Sequence, residues 1–346
     1  MKILVMRYRF IGDTILTLPF LKALRGLYPD AQIDMLVAPM SGEIIEKCPY
    51  VDNFIYFDTT RKHRYENGKT AKKSFFSYVK SLRAEKYDKA YVLKRSFSSA
   101  ALAFLARIPV RVGFDTEHRG FLLTKKICYD LEKHEADCFL DVLRAEGADV
   151  RISVPENFLT DDEKNNIDKI LKEKNPENAP LVVVHATATN PGKLWSKENF
   201  AEIIEFLINE KNVRVTFTGA KSDKSAYAEI LSMIKTPLRS EPLDFCGELT
   251  LRESLALISR AKFLIGNDSG NLHMASSVGT PVIGLYGPMS YKKWQALGEN
   301  NVIIHSNLPC MPCGLKRKCR LNGKCMKDIS PEIVKIAADK MLEFFN

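Results

Sequence analysis

The chain has 346 residues, of which 45% are hydrophobic and 27% charged, and its 51 Lys and Arg outnumber 42 Asp and Glu to give a formal charge of +9. This length suffices for two domains of ordinary size, and the composition is typical of a soluble globular protein. The longest apolar runs are well short of the ~20 residues that a membrane span requires. The apolar run that begins at Ile3 ends at Arg7, too early for the core of a signal peptide, so we expect a cytoplasmic protein.

The first half of the chain alternates short apolar strands with amphipathic helices. Pro19 lies inside the first predicted helix and is expected to bend it. The alternation itself predicts a doubly wound parallel sheet. We expect strands at 3–6, 32–37, 54–57, 89–93 and 110–113, and helices at 14–27, 41–47, 75–85, 98–106 and 133–146.

A polar segment, 172–180, carries Pro176 and Pro180 and lacks an apolar period, which predicts an interdomain linker. Beyond it the pattern starts again with the apolar strand 181–185. The sequence therefore predicts two Rossmann-like domains, 1–172 and 181–330, that face each other across a cleft. No Gly-x-Gly-x-x-Gly follows the first strand, which disfavours a dinucleotide site of the NAD type.

The most informative segment is a buried strand that begins at Phe263, followed by a tight polar turn with Asp268-Ser269-Gly270 and by an amphipathic helix that contains His273. In a parallel sheet, ligands bind beyond the carboxyl ends of the strands. The N–H groups at a helix N-terminus attract an anion, and Gly270 would let a phosphate approach the backbone. The alternative is that Asp268 and Ser269 only cap the helix. The two interpretations are compatible.

Three further segments follow predicted strands in the same way. Asp13 follows the first strand and Gly12, where its carboxylate is either a proton acceptor for a substrate hydroxyl or a helix cap. Lys193 could neutralise a diphosphate in a loop that begins with the hydroxyls of Thr187 and Thr189. Asp223 lies in a turn suited to a ribose hydroxyl. No Asp-x-Asp occurs, so the sequence offers no obvious seat for a catalytic metal–nucleotide complex.

The positive charge is concentrated in residues 61–95, which hold twelve Lys or Arg against three acidic residues. Such a window indicates an anionic substrate, an anionic membrane surface or nucleic acid, or else a solvated lysine-rich face. Cysteines cluster near the other end of the chain. In a reducing compartment this cluster is either a structural zinc site or a set of free or redox-sensitive thiols. Its members are Cys310, Cys313, Cys319 and Cys325.

The combination of these motifs resembles the bacterial lipopolysaccharide heptosyltransferases of glycosyltransferase family 9. The resemblance rests on the opening Ile3-Leu4-Val5 with Gly12-Asp13, the Lys193 loop with Trp195, Asp268 to His273, and Gly279-Thr280-Pro281 to Pro288. It spans nearly the whole chain. It implies the GT-B architecture of two facing Rossmann-like domains, with metal-independent, inverting transfer from a nucleotide-activated heptose. The last region, 331–346, would form a helix that packs back onto the first domain.

The resemblance also implies roles for individual residues. Asp13 would be the general base. Lys193, Ser269 and Gly270 would hold the donor diphosphate of ADP-heptose. The remaining donor contacts would come from Thr187, Thr189, Asp223, Leu249, Asp268 and His273.

An anionic lipid A–Kdo acceptor, at the inner face of the inner membrane, would meet Arg9, Arg61, Lys62 and Arg64. The resemblance implies no cofactor, and no metal is carried over for the clustered cysteines. The alternatives are a family member that uses another nucleotide-sugar, a GT-B-like nucleotide-sugar epimerase, and a basic zinc-cluster protein that binds nucleic acid.

Overall fold

A computed structural model describes residues 1–58, 74–315 and 318–344. The chain divides into two compact units, Met1–Phe158 and Leu159–Asn346. Each unit is built on one six-stranded parallel sheet. Within the described residues, no helix is both long enough and apolar enough to cross a membrane.

The first unit has the strand order β3-β2-β1-β4-β5-β6. Strands β2 and β3 are added on one side of β1 and strands β4 to β6 on the other, so the order of the parallel strands reverses between β1 and β4. Its central strand β1 is apolar and almost entirely buried, as a strand covered on both faces must be. Its elements are β1 (Lys2–Met6), α1 (Ile11–Ile15), α2 (Leu18–Leu27), β2 (Gln32–Val37), α3 (Pro39–Glu43), β3 (Asn53–Tyr56), α4 (Phe75–Ala84), β4 (Lys89–Val92), α5 (Phe97–Leu105), β5 (Val110–Phe114), β6 (Lys125–Ile127) and α6 (Glu135–Arg144).

The second unit repeats this topology with the order β12-β11-β10-β7-β8-β9, and its reversal lies between β7 and β10. The strands β7, β10 and β11 are buried along their whole length. Its elements are α7 (Asp161–Lys174), β7 (Leu181–His185), α8 (Lys197–Asn209), β8 (Arg214–Phe217), α9 (Lys224–Leu231), β9 (Leu243–Asp244), α10 (Leu251–Ile258), β10 (Phe263–Asn267), α11 (Gly270–Ser277), β11 (Val282–Tyr286), α12 (Tyr291–Trp294), β12 (Val302–His305), α13 (Lys324–Lys327) and α14 (Pro331–Phe344).

The helix expected at 41–47 is α3, Pro39–Glu43, and larger changes to the expected boundaries occur in three places. The helix expected at 14–27 is two helices, and Pro19 lies in the first turn of α2, where a missing N–H costs nothing, instead of bending a longer helix. Helix α7 begins at a capping box, with Thr160 and Glu163 bonded to each other's backbone, and it continues into the segment expected to be a linker. The division between the units falls before it, after Phe158.

The last helix, α14, has its described packing inside the second unit. Val334, Ala338 and Met341 are buried in the core that α8 also helps to form. Lys335 donates to Glu202 of α8 over 2.7 Å. These contacts belong to the second unit, and the packing onto the first domain that the resemblance implied stays a prediction.

Candidate functional site

The carboxyl ends of the adjacent strands β7 and β10 define the switch point of the second sheet. Strand β7 ends at His185 and β10 ends at Asn267. The buried Asn267 side chain joins the loops that follow the two strands. Its amide nitrogen donates to the Ala186 carbonyl over 2.9 Å, and its oxygen accepts from the Trp195 N–H over 3.0 Å. The loop with Lys193 is thereby held next to the Asp268 turn.

Lys193 and Asp268, both expected to serve the donor, form an ion pair. Nζ of Lys193 lies 2.8 Å from Oδ2 of Asp268, and the side chains are 22% and 7% exposed. Burial raises the pKa of the Asp268 carboxyl above its usual range, and the Lys193 charge opposes that rise. The ammonium is also 3.4 Å from the Asp268 carbonyl oxygen. The pair places an accessible cation beside the turn that begins α11.

The N-terminus of α11 is not capped by a side chain. Ser269 is the N-cap residue in extended conformation, and its side chain makes no capping hydrogen bond. Its Oγ is buried without a hydrogen-bond partner among the described residues. Because Asp268 is engaged with Lys193, the capping interpretation of these two side chains does not describe this helix. Backbone N–H groups and an unpartnered hydroxyl at a helix N-terminus are suited to a phosphate.

Two polar residues at the same edge, His185 and Asn271, were not expected from the sequence, and they lie beside the expected Thr187. The Asn271 amide nitrogen lies 2.8 Å from Nε2 of His185, and Oγ1 of Thr187 lies 3.4 Å from the same nitrogen. Burial lowers the pKa of His185, so the ring is neutral near pH 7. His273 is buried on α11, one turn beyond Ser269.

The other expected donor residues are placed differently. Thr189 is exposed in the loop after β7. The Asp223 carboxylate is buried and accepts the Ala220 N–H over 2.9 Å, so it closes its own turn. Leu249 packs against the small core that includes Phe245 and Ile167. The geometry therefore brings together Lys193, Asp268 and Ser269, and assigns structural contacts to Asp223 and Leu249.

In the first unit, Asp13 lies on α1 and its carboxylate pairs with the buried guanidinium of Arg7 over 2.6 Å. The residue that caps α1 is Phe10, so the capping interpretation of Asp13 is wrong. Arg7, which follows β1, also lies 4.0 Å from Glu135 and stands over the Phe139 ring. These contacts fix the Asp13 carboxylate at the switch point of the first sheet.

Beside Asp13 lies a group of cations, of which only Arg9 was expected from the sequence. Lys94 follows β4, the strand next to β1, and Arg95 comes directly after it. Burial, reinforced by the charge of Arg7, lowers the pKa of Lys94 to about 8. Arg9, expected to meet the acceptor, adopts a positive φ of 139° and stands over the Phe10 ring. A non-glycine residue in this region of φ is strained, as residues at binding sites often are.

Arg61, Lys62 and Arg64, also expected to meet the acceptor, lie outside the described residues. Among the clustered cysteines, Cys310, Cys313 and Cys319 are exposed thiols and Cys325 is a buried one. Within the described residues, no three Cys, His, Asp or Glu side chains gather into a group that could hold a metal ion. The zinc alternative thus gains no geometric support and stays a prediction.

Comparison with known proteins gives consistent matches. The model of Glycosyltransferase family 9 (heptosyltransferase) matches residues 75–324. The lipopolysaccharide heptosyltransferase 2 of Salmonella typhimurium is 29% identical over 301 residues, 84% of either chain. A glycosyl transferase family 9 structure from Veillonella parvula has a TM-score of 0.83 at 23% identity, covering 99% of this chain and 97% of that one. The structure of the E. coli ADP-heptose lps heptosyltransferase II has a TM-score of 0.79 at 26% identity, covering 99% of this chain and 98% of that one. The expected fold class, α/β of the GT-B type with two Rossmann-like domains, is confirmed.

Proposed function

Because the chain belongs to glycosyltransferase family 9 (heptosyltransferase), we propose that this glycosyltransferase moves a heptose from ADP-heptose to the inner core of a lipopolysaccharide. The observation that carries the proposal is the uncapped start of α11, with Ser269 beside the Lys193–Asp268 ion pair at the switch point of the second sheet. This arrangement suits the diphosphate of a nucleotide-sugar.

On this proposal the donor diphosphate lies against the N–H groups of Ser269 and Gly270, and Lys193 turns from Asp268 towards the phosphate oxygens. When the bond between the sugar carbon and the diphosphate breaks, the electron pair leaves with ADP. Positioned N–H groups and an ammonium stabilise that negative charge without a metal.

The acceptor hydroxyl attacks the same sugar carbon from the opposite face, which inverts its configuration. Asp13 accepts the hydroxyl proton as the new carbon–oxygen bond forms. Arg7, paired with Asp13 over 2.6 Å, orients the carboxylate. We propose an acceptor of the lipid A–Kdo type, which would place the enzyme at the inner face of the inner membrane.

Calorimetric titration of the wild-type protein with ADP, UDP, GDP and CDP, without added metal, tests the donor. We expect selective binding of ADP, and weaker binding by Lys193→Ala. Lys169→Ala, which removes an exposed lysine from α7, is the matched control and should bind as wild type does. A preference for UDP, GDP or CDP would reject ADP-heptose as the donor while leaving the diphosphate site in place.

Asp13→Asn tests the general base. With ADP-heptose and a truncated lipopolysaccharide acceptor, turnover should fall about 10²–10⁴-fold, the usual contribution of a positioned base. ADP affinity should stay unchanged. Wild-type turnover in Asp13→Asn would remove this residue from catalysis, and release of an altered sugar nucleotide without any acceptor would favour an epimerase.

A further inference from the structure

The first sheet carries an excess of positive charge at its switch point. The groups that act most strongly on Lys94 are three cations, Arg7, Arg9 and Arg95, and one carboxylate, Asp13. That carboxylate is already paired with Arg7. No hydrogen-bond or ion-pair partner of the Lys94 ammonium occurs among the described residues. A half-buried ammonium among like charges is costly unless an anion joins it.

The backbone around this ammonium is held firmly. The Lys94 N–H donates to the Met6 carbonyl over 3.0 Å. Its own carbonyl accepts from the Ser99 hydroxyl over 2.7 Å and from the guanidinium of the fully buried Arg119. The backbone at Lys94 is therefore fixed at the sheet edge, unlike that of a lysine in a mobile surface loop.

The neighbouring Arg95 is fixed as well. Its guanidinium lies 4.0 Å from the centre of the Tyr129 ring, and the Tyr129 hydroxyl bonds to Glu135. The Arg95 carbonyl accepts from the Thr116 hydroxyl over 2.9 Å. Two oriented cations thus follow β4 on the same sheet edge as Asp13. Ligands of open parallel sheets bind at such an edge.

We infer that Lys94, with Arg95, binds an anionic group of the acceptor, a carboxylate or a phosphate carried close to the hydroxyl that Asp13 deprotonates. The inference rests on the proposed function in one respect, namely that the bound anion belongs to the acceptor. It makes Lys94 a specificity-determining residue, because an acceptor without this charge would leave a half-buried ammonium unpaired. Loss of one charge-assisted contact of this kind weakens binding about 10- to 100-fold.

The binding experiment observes Lys94 directly and needs no turnover. Lysine amines are labelled by reductive ¹³C-dimethylation, and the Lys94 signal is assigned by its loss in Lys94→Arg. The protein is titrated with glucuronate, glucose 6-phosphate and uncharged methyl glucoside. We expect at least one anion to shift the Lys94 signal and the neutral sugar to leave it in place.

A response to glucuronate alone assigns a carboxylate-bearing acceptor, and a response to glucose 6-phosphate alone assigns a phosphate-bearing one. Response to both supports an anion site without that discrimination. A Lys94 signal that neither anion moves overturns the inference, even if the enzyme transfers heptose.

The kinetic experiment separates binding from folding. With the lipopolysaccharide acceptor, Lys94→Ala should raise the KM for acceptor about 10- to 100-fold and leave the KM for donor unchanged. Lys94→Arg should recover part of the loss, and Lys169→Ala should behave as wild type. An unchanged acceptor KM in Lys94→Ala contradicts the inference. Absence of transfer in every variant, wild type included, would reject the proposed function and leave the binding experiment to decide on Lys94.

Discussion

The ion pair between Lys193 and Asp268 predicts unequal costs for removing its two partners. The Asp268 side chain is only 7% exposed, so Lys193→Ala leaves a carboxylate in a desolvated place without its counter-charge. Breaking a buried pair in this way costs about 3–5 kcal/mol. Because the Lys193 side chain is 22% exposed, water compensates in part, and we expect about 2–4 kcal/mol of destabilisation. Asp268→Asn should cost about 1 kcal/mol, since the remaining ammonium can turn to solvent.

The cost of Lys193→Ala should also depend on pH. Burial already raises the pKa of Asp268, and in the variant no lysine charge opposes the rise. A carboxyl whose pKa is higher in the folded than in the unfolded state binds protons more tightly when folded, so the variant gains stability relative to wild type as the pH falls. The gain should appear as the pH falls through the raised pKa of the folded state, and it should be complete below about 4, the pKa of an unfolded aspartate.

Tryptophan fluorescence reports the unfolding of the second unit, which contains the ion pair. Both tryptophans of the chain, Trp195 and Trp294, belong to the second unit, and Trp195 bonds to Asn267, next to the pair. Urea unfolding is compared at pH 7.5 and pH 5 for wild type, the two variants and Lys169→Ala. If Lys193→Ala lowers the free energy of unfolding equally at both pH values, or lowers it by less than Asp268→Asn does, the assignment of an unpaired buried carboxylate is refuted.

Three further outcomes follow from single contacts. Asn267→Ala should lower the free energy of unfolding by about 2–4 kcal/mol in the same fluorescence assay, because a buried N–H and a buried carbonyl lose their partner; a change under about 1 kcal/mol would contradict this. At pH 8, an acylating reagent should modify Lys94 faster than Lys169, as measured by peptide mapping. The reason is that about half of the Lys94 amine is neutral at this pH, against under about 1% for an ordinary lysine. Equal rates would refute the lowered pKa of Lys94. Iodoacetamide should modify Cys319 before Cys325, because N–H groups of Gly323 and Leu321 lower the pKa of the exposed Cys319 whereas burial raises that of Cys325; the reverse order would contradict both assignments.

The sequence predicted the central strands well because each is a short, predominantly apolar run. Strand β7 has the expected bounds, β10 begins at Phe263 as expected, and both are buried from end to end. The errors came from weaker signals. Helix α7 buries only Ile167 fully, so its apolar period was faint, although its capping box at Thr160 and Glu163 was legible. The edge strands β6 and β9 have only three and two residues, too few for a pattern.

The placement of Asp268 and Lys193 at one edge of the sheet was predictable because both residues follow their strands in the chain. Asp268 comes directly after β10, and Lys193 lies in the loop after β7. Their ion pair was not predictable, because it depends on β7 and β10 being neighbours in the sheet. The expected contact of Asp223 with the nucleoside or sugar stays a prediction. Its position in a turn suggested a ribose contact, but only the folded turn shows that the carboxylate bonds to the Ala220 N–H.

The same argument explains why Lys94 was missed and why it matters. The two sheets share one topology, so each has a switch point between its first and fourth strands. In the second sheet the charges there balance, with Lys193 against Asp268. In the first sheet Arg7 balances Asp13, and Lys94 adds a positive charge. Lys94 follows β4, which pairs with β1 in the sheet although the two strands are far apart in the chain. On the inference drawn above, the acceptor supplies the anion that balances this excess of positive charge.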